Sequence, residues 1–239
     1  MVNCTNCNTE VALKYCPNCG QPKQLTKIDL HYIKHEIEHV FHFEKGIFYT
    51  VRELLINPGK NVRKYLTENR SRLVKPIIFI IITSLLYSIA LHFFHVEDKY
   101  VKYSSDKVTT TTLIFSWIRT HYGYANIIMG AFIALWTWLF FIKSGYNFFE
   151  ILILLCFTMG MGMLILAIFV TIQGLTHVDL MQAGSMISVA YCVWAIGHFF
   201  NGKKIVSYLK ALIAYILGMA SFFFLASILG VLIDLVAKN

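Results

Sequence analysis

Four cysteines near the N-terminus have the spacing of a metal site. They form a C-x2-C-x8-C-x2-C motif that comprises Cys4, Cys7, Cys16 and Cys19. Two thiolates two residues apart can bind one ion from a tight turn, and two such turns complete the tetrahedral shell that zinc prefers. Because thiolates fill all four positions, water and substrate have no place on the ion. We therefore expect one structural Zn2+ per chain, with iron as the competing metal and a disulfide framework as the alternative.

Four histidines form a second set of potential metal ligands. Apolar residues recur with helical period between Asp29 and Phe48, and the histidines lie on the opposite face of that predicted helix; they are His31, His35, His39 and His42. Histidines four residues apart can share a transition metal, and the four together can titrate near neutral pH. A solvated polar face that is rich in histidine is the third interpretation. The sequence does not decide among a metal site, a pH sensor and a polar surface.

A cluster of cations precedes the first long apolar run. Two short amphipathic helices are predicted between Thr50 and Leu66, with a break at 57–59 where proline and glycine turn the chain. The cations that follow this break are candidates for binding lipid headgroups, and they are Arg63, Lys64, Arg70, Arg72 and Lys75. Each cation near an anionic leaflet contributes about 1 kcal/mol to membrane binding. The alternative is that this charge only sets the topology of the membrane domain.

The elements that position these residues follow from composition. The chain has 239 residues, of which 57% are hydrophobic and 14% are charged, which is typical of an integral membrane protein. A membrane-spanning helix needs roughly 20 apolar residues, and five segments reach that length or approach it: about 76–95, 125–143, 148–173, 185–200 and 209–234. The fourth segment is the shortest, and whether it crosses fully stays open. The predicted fold is an all-α membrane protein with about five transmembrane helices.

The predicted domains follow the same division. Residues 1–24 form a zinc ribbon, residues 25–75 form amphipathic juxtamembrane helices, and residues 76–239 form the transmembrane domain. Residues 1–75 hold 12 of the 21 lysines and arginines. Cytoplasmic loops carry an excess of positive charge, so we expect a multi-pass protein of the cytoplasmic (inner) membrane with the N-terminus in the cytoplasm and the C-terminus outside. No cleavable signal peptide is predicted, because the first apolar run begins far from the N-terminus.

The order of the motifs carries a resemblance. After the cysteine motif come a histidine-rich helix, Glu44-Lys45-Gly46, a Thr-x-x-x-Leu-Leu run from Thr50 to Leu55, a Pro-Gly turn and a basic stretch that ends in Lys75-Pro76. This order resembles an uncharacterised bacterial family of zinc-ribbon multi-pass membrane proteins. The membrane part is similar to the Yip1-type five-span domain, whose relatives are associated with membrane trafficking and lipid environments. The resemblance implies a fold and implies no activity.

The predicted function is that of a non-enzymatic membrane scaffold, sensor or adaptor. The spans contain no H-E-x-x-H, no paired acidic motif and no G-x-S-x-G, so neither a nucleophile nor a base is visible. The expected partners are the lipid bilayer, including anionic lipids, and a cytoplasmic protein, with homo-oligomerisation left open. No nucleic-acid partner is expected, because the cysteine motif has few basic and aromatic residues. The sequence identifies neither the partner nor a ligand.

The alternative function is a transporter, channel or lipid-handling protein, oligomeric or not. It predicts a polar or lipid-filled cavity, within or between protomers, that is faced by Glu150, by His198 or by the methionine run at 159–163. The scaffold hypothesis instead predicts a fully packed bundle. Small residues at helix-contact spacing, among them Gly160, Gly218 and Gly230, are expected to pack the spans against one another.

Overall fold

A computed structural model of the chain describes residues 2–3, 9–12, 15–19, 46–70, 72–94 and 109–237. The chain divides into two compact units, residues 1–43 and residues 44–239. In the first unit, strands β1 (Val2–Asn3) and β2 (Glu10–Val11) pair antiparallel, with Val2 opposite Val11. A turn over 17–19 follows in the same unit.

The second unit consists of α-helices joined mostly by short connections. In chain order they are α1 (Gly46–Ile56), α2 (Pro58–Thr67), α3 (Pro76–Phe93), α4 (Thr110–Thr120), α5 (Tyr122–Phe140), α6 (Phe148–Thr176), α7 (Met181–Asn201) and α8 (Ile205–Ala237). Within the described residues, five of these helices are long and apolar enough to cross a membrane, namely α3, α5, α6, α7 and α8. The predicted all-α fold with five membrane-spanning helices is therefore confirmed.

Three of the five long helices begin earlier than the apolar runs indicate. The structure places their first residues at Tyr122, Met181 and Ile205, against expected starts at about 125, 185 and 209. Their first turns contain small or polar residues, which lower the local hydropathy without preventing a helix. The fourth long helix, α7, has 21 residues and reaches the length that a crossing needs.

The segment between the first two predicted spans, at 96–124, contains helix α4, although it has no apolar run of spanning length. Thr109 and Thr112 form a capping box at the start of α4, and each side chain accepts a hydrogen bond from the backbone N–H of the other residue. The Thr110 N–H donates to Asp234 Oδ1 at 3.0 Å, which fixes α4 to the end of α8. A capping box of two threonines lacks the glutamate or glutamine of the usual motif, so the sequence pattern was not recognised.

Glycines bring the long helices close to one another, as the small-residue spacing predicted. A Cβ atom at Gly160 would lie 2.7 Å from the Phe79 ring on α3, and one at Gly218 would overlap the backbone of Ile133 on α5. Helix α6 packs against α3, α5 and α7, so it is the central helix of the bundle. The predicted packing role of Gly160 and Gly218 is confirmed.

Candidate functional site

The juxtamembrane segment forms a helical elbow, which comprises α1, α2 and the connection at 72–75. The Asn61 side-chain amide donates to the Glu53 carbonyl at 2.8 Å, and the Val74 N–H donates to the Thr50 hydroxyl at 3.0 Å. These bonds connect α1 to α2 and to the residues that lead into α3. The elbow therefore has polar contacts of its own, in addition to its contacts with the long helices.

Gly59 brings the elbow into backbone contact with the C-terminal end of α7. Its N–H donates to His198 Nδ1 at 3.3 Å, and a Cβ atom at Gly59 would overlap the His198 carbonyl carbon and the Phe199 nitrogen. Every other residue type carries a Cβ atom, so only glycine permits this distance between the two backbones. From α7, the Tyr191 hydroxyl donates to the Leu54 carbonyl of α1 at 2.9 Å. The Pro-Gly turn is thus the point where the elbow docks.

Arg63 completes the docking by binding carbonyl groups of α7. Its Nη1 donates to the His198 carbonyl at 3.0 Å and also to the Phe199 carbonyl. The last carbonyls of a helix lack partners within the helix and carry a partial negative charge. The guanidinium satisfies two such carbonyls and stabilises the helix end. Arg63, predicted to bind lipid headgroups, therefore has a structural contact within the protein.

The other predicted headgroup ligands differ in their surroundings. Arg72 donates to Glu53 Oε2 at 2.7 Å, and this hydrogen bond raises the pKa of the Arg72 guanidinium. Lys64 is half-buried, whereas Arg70 and Lys75 are exposed. Of the predicted set, Arg70 and Lys75 have the exposure that contact with a lipid headgroup requires.

A cavity of about 500 Å³ lies within the helical bundle. Residues of α5, α6, α7 and α8 line it, and it is open on one side; we call it the bundle cavity. Its lining is mostly apolar and comprises Tyr122, Asn126, Met159, Gly162, Met163, Leu166, Ser185, Met186, Ser188, Val189, Ala190, Cys192, Val193, Leu212, Tyr215 and Met219. Four methionines belong to this set, and methionine side chains adapt their shape to irregular partners.

The bundle cavity opens beside α7 and α8. Among its lining residues, Met186 is 65% exposed and Leu212 is 38% exposed, whereas Met163 on α6 is 1% exposed. Further apolar side chains, among them Ile187 and Ile216, are exposed on the same two helices. An apolar opening on the side of spanning helices is suited to molecules in the lipid phase.

The buried polar side chains that line the bundle cavity include Asn126 and Ser188, together with the phenol of Tyr215. Asn126 is 4% exposed and Ser188 is 7% exposed. Nearby, the Cys192 thiol donates to the Thr158 carbonyl at 3.5 Å. Within the part of the chain that the structure describes, no hydrogen bond involves the Asn126 amide or the Ser188 hydroxyl. Neither group is among the fully buried polar atoms of the described residues that lack a partner, so both retain access to the cavity, where a bound molecule could form hydrogen bonds with them.

The ionisable residues expected at a cavity lie elsewhere. Glu150 and Asn147 form a capping box at the start of α6, in which the Glu150 N–H donates to Asn147 Oδ1 at 2.9 Å. His198 accepts the hydrogen bond from the elbow and stacks on Trp194 with ring centroids 5.8 Å apart. Neither Glu150 nor His198 is among the residues that line the bundle cavity. Part of the methionine run does line the cavity.

The predicted metal ligands fall largely outside the described residues. Cys16 is 3% exposed and precedes the turn over 17–19, and Cys19 is exposed. Within the described residues, no three side chains of His, Cys, Asp or Glu come together as a metal site would require. The remaining predicted ligands are outside those residues, and they are Cys4, Cys7, His31, His35, His39 and His42. The zinc site and the histidine site stay predictions.

Comparison with known families gives one match. Residues 44–88 match a family model described as "Protein of unknown function (DUF3667)". The match covers the elbow and most of α3. The resemblance to an uncharacterised family is thus confirmed for this segment, whereas the zinc ribbon, the bacterial origin and the likeness to the Yip1-type domain stay predictions. Searches of curated proteins and of solved structures found no match.

Asn126 and Ser188 of the bundle cavity were missed by sequence reasoning. Asn126 stands at the second residue of the expected 125–143 span, where a polar side chain is ordinary because it can reach interfacial water. Ser188 is one of several serines in the spans, and a serine there is usually a packing residue. The available signal was the cost of a polar side chain within membrane reach, which makes such residues candidates for function.

Proposed function

We propose that this protein binds an apolar molecule from the lipid phase in the bundle cavity, as a lipid-handling membrane protein. The cavity itself is the observation that carries the proposal, because a scaffold or anchor would need only a fully packed bundle. The volume of about 500 Å³ falls within the range of 300–1,000 Å³ that is usual for ligand pockets.

The walls of the cavity support an apolar ligand. Met159, Met163, Met186 and Met219 line it, and flexible methionine side chains suit ligands whose chains vary in shape. The opening beside α7 and α8 lies among exposed apolar side chains, so an apolar ligand could enter without passing through water. The proposal requires no catalytic group, and we propose binding without catalysis.

Filling the opening tests this function. Ala190 lines the cavity and is exposed, so Ala190→Trp should block it. Ala183→Trp is the matched control, because Ala183 is exposed on the same helix but is not part of the cavity lining. We expect wild type and Ala183→Trp to keep about one detergent-resistant lipid per chain in native mass spectrometry, and Ala190→Trp to lose it. Equal lipid content in all three proteins would contradict the proposal.

We also propose a structural zinc ribbon in the first unit, which contacts a cytoplasmic protein partner. Strands β1 and β2 flank Cys4 and Cys7 in the sequence, and Cys16 is buried before a turn, as a zinc knuckle requires. When bound, the ion would supply most of the folding free energy of this small unit. With Cys16 and Cys19 both replaced by Ser, elemental analysis should show the loss of one zinc per chain.

The histidine set is tested by the same measurement. If metal survives the double cysteine replacement, then His31, His35, His39 and His42 hold a second site, and replacing His35 and His39 should remove it. If all metal is lost with the cysteines, then the histidines act as a pH-responsive or solvated surface. A thermal stability that does not change with zinc removal would contradict the structural role of the ion.

We further propose that the membrane orientation places the N-terminal unit in the cytoplasm. Cations collect at one end of the bundle: Lys60 lies on the elbow docked at the end of α7, and Lys203 and Lys204 follow that helix. Lys143 belongs to the same end, because Phe141 stacks on Phe200 at 3.8 Å between ring centroids. Positive charge marks the cytoplasmic side. An epitope tag after Asn239 should then be accessible from outside intact cells, and a tag accessible only after permeabilisation would reverse the orientation.

A further inference from the structure

The bundle cavity holds hydrogen-bonding groups that belong to different walls. Asn126 projects from α5 and Ser188 from α7, and both are more than nine-tenths buried. Ser188 faces the central helix, because a Cβ atom at Gly162 of α6 would lie 2.7 Å from Ser188 Oγ. Among the described residues neither side chain has a hydrogen-bond partner. These groups point to a ligand that carries polar atoms as well as an apolar body.

The charge of the cavity limits what those polar atoms can be. None of the residues that line the cavity in the described part of the chain is Asp, Glu, Lys, Arg or His. A charged group removed from water without an opposite charge is strongly disfavoured. A carboxylate, a phosphate or an ammonium group in this cavity would meet no counter-charge, so an uncharged polar group is the one that fits.

We infer that the ligand is a neutral lipid with a hydroxyl or carbonyl group, bound with that group between Asn126 and Ser188. This inference rests on the proposed function, since it names the ligand class for the same cavity. The Asn126 amide offers two donors and an acceptor, and the Ser188 hydroxyl offers a donor and an acceptor. Together they can pair with a carbonyl, with a hydroxyl or with both, and the apolar chain extends along the methionines towards the opening.

Three probes of similar chain length separate the contributions of head and chain. The probes are 1-monooleoylglycerol, which is neutral and carries hydroxyl and ester groups, oleate, which is anionic, and 1-octadecene, which has no polar group. Each is added to delipidated full-length protein in detergent, and bound molecules are counted by native mass spectrometry. We expect 1-monooleoylglycerol to bind about tenfold more tightly than either other probe.

Variants assign that preference to the two side chains. Asn126→Leu keeps the approximate size of the side chain and removes the amide, and it should reduce the preference for 1-monooleoylglycerol over 1-octadecene to about threefold or less. Ser188→Ala should give a smaller loss. Ala183→Trp, which lies outside the cavity lining, is the control and should leave the preference unchanged. Thermal unfolding of each variant identifies any that fails to fold. If Asn126→Leu fails to fold, the probe preference of the conservative Ser188→Ala variant tests the inference.

The outcomes separate this inference from the proposed function. If Ala190→Trp abolishes the binding of all three probes while Asn126→Leu and Ser188→Ala keep the wild-type preference, the cavity binds lipid but the two polar groups hold only water, and the inference is overturned. Preferential binding of oleate also overturns it. If Ala190→Trp leaves the binding of every probe intact, both the proposed function and the inference fail.

Discussion

The contact between the elbow and α7 and the bundle cavity differ in whether their polar groups are hydrogen-bonded. At the elbow, the Gly59 N–H, the His198 Nδ1 and the terminal carbonyls of α7 are paired with one another or with Arg63. In the cavity, Asn126 and Ser188 have no partner among the described residues. Both regions lie in the same helical unit and are built from similar helices.

This difference distinguishes residues with a structural role from candidate ligand-binding residues better than residue type does. A cation such as Arg63 beside a membrane domain suggests lipid binding, yet its donors are used by a helix end. A lone asparagine in an apolar helix suggests little, yet it is the group that a ligand can still satisfy. For these residues the surroundings in the fold, and not the charge, indicate the role: Arg63 is bound to a helix end, whereas Asn126 lines the cavity.

The largest expected effect belongs to Gly59→Ala. The added Cβ atom would overlap backbone atoms of α7, which cannot rotate away, so the elbow must leave its site. Overpacking typically costs about 1–3 kcal/mol, and because the clash here is with backbone we expect a value at the upper end of that range. We expect a large fall in the thermal unfolding temperature of the protein in detergent, with little folded protein recovered.

Gly130→Ala is the matched control for Gly59→Ala. A Cβ atom at Gly130 would lie 3.0 Å from Met159 Sδ, near the end of a flexible side chain that can move. We expect only a small change in unfolding temperature. If the two alanine variants are equally stable, the elbow is not docked at α7 as described.

The next effect in size is that of Arg63→Met. Methionine keeps an unbranched apolar side chain but removes the donors, which leaves the His198 and Phe199 carbonyls without a partner. The expected loss is about 2 kcal/mol of unfolding free energy, measured in detergent. Arg70→Met is the control, since Arg70 is exposed and its replacement should change stability little. A loss of anionic-lipid binding in Arg63→Met without a loss of stability would restore the headgroup prediction.

Much of the fold could be predicted because its determinants are local. Apolar runs of sufficient length mark the five long helices, and Pro58 with Gly59 marks the break between α1 and α2. Helix α4 was missed because its capping box uses two threonines, and because its contact with Asp234 joins residues 124 positions apart. The helix starts were misplaced where small and polar residues continue a helix without continuing an apolar run.

The candidate site could be predicted only in part, for the same reason. The methionine run on α6 was one of the residue sets expected to face a cavity, because a run of methionines can be recognised from the sequence alone. The pairing of Arg63 with His198 spans 135 positions, and the cavity walls come from four separate helices. Periodicity reports which face of a helix is apolar, but it does not report which neighbour covers that face. Glu150, which the sequence offered as one candidate to face a cavity, forms a capping box at the start of α6 in the structure.

Asn126→Leu should have a smaller effect than Arg63→Met on stability. The Asn126 amide lines the bundle cavity and is not among the fully buried atoms without a partner, so in delipidated protein water can contact it, and its replacement should change the unfolding free energy by less than about 1 kcal/mol. Added 1-monooleoylglycerol should stabilise the wild type more than this variant, because at a given concentration a ligand that binds the folded state more tightly stabilises it more. The measurement is thermal unfolding with and without the probe. A larger loss of stability in Asn126→Leu without lipid would show that the amide is already satisfied.

The smallest expected effect is that of breaking the ion pair between Arg72 and Glu53, in which Nη2 and Oε2 are 2.7 Å apart. Its side chains keep 26% and 20% of their exposure, so solvent screens the interaction and the coupling energy should be below about 1 kcal/mol. A double-mutant cycle with Arg72→Met and Glu53→Gln measures that coupling by thermal unfolding, and the coupling should fall further as salt is raised. A coupling as large as the loss in Arg63→Met would mean that the elbow is held by its own charges. A small coupling energy together with a large loss of stability in Arg63→Met would mean that the contact with α7 is what mainly stabilises the elbow.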